Sequence, residues 1–380
     1  MARATGRSRP APSVAAVAAR PLFIMLVAFA LLTGIAGGLL RLGVVVAPAA
    51  PAEWLGRAAL AHAALMICAF LGTVIGLERA VAVKLPVAFL APLASASGGV
   101  CLLLGRDGAA GWLMVVAAVA FTGVNIVVVS RQWAAHTLLL LGSAGTWLAG
   151  NALFAMGQGS AAVLPWWFAF LVITIAAERL EMTRLMRRRP AAPWLLGGVL
   201  ALMIAGATVS AWPGPLGGAL YGASLVLLAL WLVVFDIARR TVFAQGLSRY
   251  MAVCLLGGYA WLCVAGAAWI ATALGWPLRD VALHALGLGF IFSMMMGHAP
   301  VILPAVARVK LQFGGFFYVP LAALHASLAV RLFWGATDLS HRAAGATFNA
   351  AAIALFAATV VGAIVAWRVN DSAAGAKDTT

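Results

Sequence analysis

The sequence predicts an all-α polytopic membrane protein of about twelve transmembrane helices, arranged as three four-helix repeats, with both termini cytoplasmic. Three observations carry this. Of 380 residues, 64% are hydrophobic and 9% charged, against about 25% charged in ordinary soluble domains. Apolar runs longer than about 18 residues, enough to cross a bilayer, recur from Pro21 to Val369. Finally, nineteen of the 25 Lys and Arg fall on alternate connections, the bias that marks cytoplasmic loops. A soluble enzyme, a secreted disulfide scaffold and a disordered chain are excluded.

The helices are expected near 22–46, 57–80, 85–104, 109–130, 134–156, 162–183, 192–211, 215–237, 249–274, 280–300, 314–334 and 343–368. Pro48, Pro51, Gly105, Gly157, Pro213 and Pro277 punctuate the breaks. This gives a basic cytoplasmic tail (1–20), a single twelve-helix domain (21–369) and a second cytoplasmic tail (370–380). The first helix resembles a signal peptide ending in Ala47-Pro48-Ala49-Ala50, but the stretch 22–46 exceeds the roughly 7–15 residues of such a core, so it is read as an anchor. Arg3, Arg7, Arg9, Arg20, Arg79, Lys84, Arg131, Arg179 and the Arg184–Arg189 cluster define the inner side, with Arg239, Arg240, Arg249, Arg308, Lys310, Arg368 and Lys377. Arg41, Arg57, Arg106, Arg279, Arg331 and Arg342 fall outside.

The net charge of +15 therefore reflects helix ends and not a nucleic-acid-binding face. Cys68, Cys101, Cys254 and Cys263 all lie in apolar runs without a CxxC, as small buried hydrophobes do.

Phe70–Arg79 (FLGTVIGLER) in the second helix and Phe170–Arg179 (FLVITIAAER) in the sixth share Phe, Leu, Ile, Glu and Arg at an offset of 100 residues. The tenth helix matches the second through His284-Ala285 and Phe292, against His62-Ala63 and Phe70. These three helices share one orientation and are expected to face a common interior.

Ionisable residues inside a bilayer are costly and mark functional sites. His62 and His284 lie at matching depth on repeat-related helices, the arrangement a bis-histidine haem needs, with Gly72, Gly287 and Gly289 leaving room for the macrocycle. The bland alternative is that each imidazole bonds a neighbouring carbonyl. His325, near mid-depth on the eleventh helix, is a competing cofactor ligand. His298 lies about 21 Å beyond His284 on nearly the same face, so it belongs to a second site, and with Met294 one turn earlier it offers an imidazole and a thioether to copper. Pro300 and Pro304 are expected to kink or end that helix. Glu78, Arg79, Glu178 and Arg179 read either as structural ion pairs or as a proton-accepting network. No phosphate loop, HExxH or GxSxG is present.

The His62-Ala63-Ala64-Leu65-Met66 segment with Phe70, and Ala282–Pro300 (ALHALGLGFIFSMMMGHAP), resemble the corresponding segments of NnrS-like membrane proteins. The resemblance implies a multi-pass protein of the bacterial inner membrane that binds haem and copper and acts in nitric oxide metabolism, with His62, His284 and His298 as the matching residues. Its partners would be the bilayer, a small gaseous ligand such as nitric oxide, and a quinone or respiratory protein. Ala61 and Ala64 stand where that family carries Trp and a second His, and Glu78-Arg79 replaces its Pro-Asn-Trp type of segment. In its twelve helices and in the placing of histidines on the second and tenth, the chain is also similar to haem-copper oxidase catalytic subunits, without their His-rich copper site on helices six and seven. The expected function is a haem-binding membrane protein, and an oxidoreductase in nitric oxide or respiratory metabolism. A secondary transporter and an assembly factor for a respiratory complex are the alternatives.

Overall fold

The computed structural model describes residues 14–44, 51–182, 191–307 and 309–377. Arg3, Arg7, Arg9, the Ala47–Ala50 motif, the Arg184–Arg189 cluster and Arg308 lie outside them. Among the described residues there is no strand, and twelve helices are long and apolar enough to cross a membrane. With no water to satisfy its amides, a chain in lipid closes its backbone hydrogen bonds within each helix. We number them α1 (Val14–Leu40), α2 (His62–Val83), α3 (Pro86–Leu103), α4 (Asp107–Arg131), α5 (Ala135–Ala155), α6 (Ser160–Met182), α7 (Ala191–Val209), α8 (Leu216–Phe235), α9 (Gly246–Ala273), α10 (Arg279–Ala307), α11 (Gly315–Trp334) and α12 (Leu339–Lys377).

Several boundaries differ from expectation. α1 stops at Leu40 and starts inside the stretch assigned to the basic tail. A separate helix, Ala52–Leu60, precedes α2, and Ala61 breaks the two apart with φ −87° and ψ 5°. α12 runs on through Lys377, across the expected second tail. Pro300 and Pro304 do not end α10, because its helical winding continues to Ala307 with both inside.

Consecutive helices pack side by side, and α12 returns to α1, closing a ring. α2, α6 and α10 meet in its interior. Close approaches rely on small residues: Gly222 of α8 and Gly266 of α9 face each other so closely that a Cβ on either would collide with the other's carbonyl.

Among the described residues helix winding widens from α to π in three places. Leu65–Gly72 in α2, Ala285–Phe292 in α10 and Val330–Trp334 in α11 are π-helical. In α2 and α10 the π segment follows the histidine of the matched His-Ala pair. α6 carries none.

Candidate functional site

The three π segments border one cavity of about 710 Å³. Met66, Phe70, Phe168, Leu288 and Phe292 contribute to an apolar wall, and His62, His284, Asp280, Arg41, Arg279, Arg331 and Arg342 face it as well. Such π turns recur at functional sites.

His62 and His284 come together here, with ring centroids 6.3 Å apart and planes at 27°. His62 is seated by α1: its Nδ1 lies 2.7 Å from the Gly34 carbonyl oxygen. A Cβ on Gly38, one turn further, would run into the same imidazole, so glycine is required for the ring to lie there. His284 Nδ1 lies 3.0 Å from Asp280 Oδ1, one turn earlier on α10. An N–H that donates from Nδ1 to an oxygen leaves the Nε2 lone pair outward, the tautomer that metal-binding imidazoles adopt.

Arg331, in the π segment of α11, completes the group. Its Nη2 lies 2.9 Å from Asp280 Oδ1 and 3.0 Å from His284 Nε2, and its Nε lies 3.2 Å from Asp280 Oδ2. One carboxylate thus orients both an imidazole and a guanidinium. Arg279 donates to Ser160 Oγ at 2.7 Å, and this pair also borders a smaller neighbouring cavity of about 260 Å³.

The other sequence-derived candidates lie elsewhere. His325 does not line the cavity: Trp261 Nε1 donates to its Nδ1 at 2.7 Å, and its Nε2 faces Ser293 Oγ at 3.4 Å. Gly72 and Gly289 are packed against Trp147 and Trp261, and only Gly287 of the three glycines borders the cavity. His298 Nδ1 lies 2.6 Å from the Met294 backbone carbonyl oxygen, and the Met294 methyl packs on Gly258. Among the described residues no group of three or more His, Cys, Asp and Glu is arranged to hold a metal ion.

At the far ends of α2 and α6, about 24 Å from the histidines by helix rise, the Glu-Arg motifs form a second cluster. Arg79 Nη2 donates to Glu178 Oε1 at 3.0 Å, tying α2 to α6. Arg179 turns to Asp236, with Nε and Oδ2 3.9 Å apart. Burial pushes the Asp236 carboxyl up from its usual range, and the Arg179 guanidinium and the Ala238 N–H oppose that shift.

Sequence reasoning missed Asp280 and Arg331. Asp280 had a signal, since it stands four residues before His284 and so on its face. Arg41, Arg279, Arg331 and Arg342 were counted as outer-loop charges, yet all four line the cavity.

Residues 20–365 match the family model described as Domain of unknown function (DUF8744). The chain belongs to DUF8744. No curated protein and no solved structure matches it. For this DUF8744 chain, the functional reading therefore rests on the site itself.

Proposed function

We propose that this DUF8744 chain is a multi-pass haem-binding protein of the bacterial inner membrane, with His62 and His284 as the two axial ligands. The observation that carries the reading is the approach of two oxygen-anchored imidazoles, 6.3 Å between centroids, across a cavity of about 710 Å³. Two imidazoles this close, each with Nδ1 against an oxygen, would hold one haem between them through their outward nitrogens. The volume lies within the range of about 300–1,000 Å³ typical of cofactor pockets.

The donor set fits in its other parts too. Aromatic and aliphatic side chains suit the macrocycle, and Arg41, Arg279 and Arg342 suit its propionates. Binding at His284 requires the Arg331 guanidinium to leave Nε2 while keeping Asp280. When bound, haem would supply a one-electron couple between its two imidazoles. In this reading Asp280 holds the His284 tautomer, Gly34 orients His62, and the apolar wall excludes water. The excess of Lys and Arg at the end carrying Glu78 supports a cytoplasmic position for that end.

The test is the visible spectrum of the purified protein with iron analysis. A Soret band and about one iron per chain are expected; a colourless, iron-free protein from haem-replete cells refutes the reading. A second reading draws on the four arginines and on Arg331 standing against His284: an anion-binding cavity of a secondary transporter. It predicts a colourless protein whose melting temperature rises with an added organic dicarboxylate.

A further inference from the structure

The second cluster contains an imbalance of charge. Among the described residues, the ionisable groups that act on one another there are Glu78, Arg79, Glu178, Arg179, Asp236 and His298, with Glu181 at the edge. Arg79 is committed to Glu178 at 3.0 Å and Arg179 to Asp236 at 3.9 Å. Glu181 is half exposed and pairs with His136 at 3.7 Å. Among the described residues Glu78 forms no ion pair, and the Arg79 guanidinium that acts on it is held by Glu178.

Among the described residues three carboxyls therefore share two guanidiniums at this end of the bundle, with Asp236 buried and Glu78 and Glu178 half-buried. An isolated carboxylate is expensive there and takes up a proton in preference to remaining charged. Two carboxylates crowded into one site have the same outcome, and Glu78 has Glu178 as a like-charged neighbour.

The surrounding polar atoms supply a second, independent observation. Asp236 is 1% exposed and Arg179 3%, yet Asp236 Oδ2 and Arg179 Nε lack a well-formed hydrogen bond among the described residues. So do the buried Arg79 Nε and His298 Nε2, while the Tyr259 hydroxyl lies beside Asp236 and Arg179. Buried polar atoms rarely stay unpaired, and a pair held at 3.9 Å is spaced for a bridging water. This concentration of unpaired donors and acceptors suits a site that receives and passes a proton, and not a closed structural lock.

We propose that Glu78 is a half-buried proton-binding carboxyl, whose protonation balances the cluster at the ends of α2 and α6. The inference does not depend on haem at the opposite end. Its test is infrared spectroscopy of the full chain in lipid nanodiscs at neutral pH. The carbonyl stretch of a protonated carboxyl, shifted in D2O, is expected in the natural protein and lost in Glu78→Gln. Arg79→Gln, which removes a cation and leaves three carboxyls to one, is expected to raise the band roughly twofold. A band absent from the natural protein, or intact in Glu78→Gln, overturns the proposal. Loss of the band on adding sodium or potassium at fixed pH also overturns it and identifies a metal-cation site instead.

Discussion

α2 and α6 are built on the same Phe-Leu-Ile-Glu-Arg frame, and they use it in opposite ways. α6 is α-helical throughout, carries no histidine, and has 78% of its apolar window buried against 50% for α2. α2 gives eight residues to π winding, as α10 does, and a histidine precedes that segment in each, by three residues in α2 and directly in α10. Where α2 has His62, the matching position of α6 is Ala162, which is buried and faces no cavity. The contrast teaches that the frame is a packing device shared by both helices. Chemistry enters where regular winding is given up, since an extra residue per turn re-aims side chains without breaking the helix.

The comparison is broken most directly at the histidines. His62→Ala and His284→Ala should each abolish low-spin haem absorption with membrane insertion intact. His325→Ala and His298→Ala should keep it, because neither imidazole reaches the cavity. A normal spectrum in both of the first pair would refute the assignment. A smaller effect is expected at the tie between the two helices. Glu178→Ala leaves Arg79 without its partner, and with both side chains partly exposed the loss should be about 2–4 kcal/mol. A cycle with Arg79→Ala, read by reversible unfolding in mixed micelles, should be non-additive; strict additivity would deny the pair.

Next comes the attachment of α6 to α5. Asn151 donates to the Met114 carbonyl at 2.7 Å and accepts from Trp167 Nε1 at 2.8 Å. Asn151→Ala should cost about 1–3 kcal/mol through the buried indole N–H it strands, and Asn151→Asp should recover part of this. The smallest change is expected for Ser160→Ala, which frees Arg279 at the edge of both cavities. Stability should stay within about 0.5 kcal/mol, and any effect should appear in ligand affinity.

Much of this was legible in the sequence. Hydropathy marks the twelve helices because a bilayer forbids other backbone solutions, and the His-Ala repeat brings His62 to His284 because related helices share a depth. π winding was not legible, since hydropathy does not distinguish it from α. Nor was the partner exchange at the Glu-Arg motifs: adjacent residues on a helix point apart, so each arginine must find its carboxylate on another element, and Asp236 lies in a turn with no repeat to flag it. Arg331 was obscured for a related reason. An arginine at a helix end has the same sequence signature whether it points to headgroups or into a cavity.

The seat of His62 on Gly34 and Gly38 also sets an order of assembly in time. α1 and α2 are neighbours in the chain, so the first imidazole can be oriented as soon as that hairpin has entered the membrane. Its counterpart is encoded 222 residues later. At roughly 5–20 residues per second, synthesis of that interval takes on the order of 10–45 s. For all of that time the growing protein presents half a site, so a ligand that needs both histidines can be captured only after the tenth helix has been made.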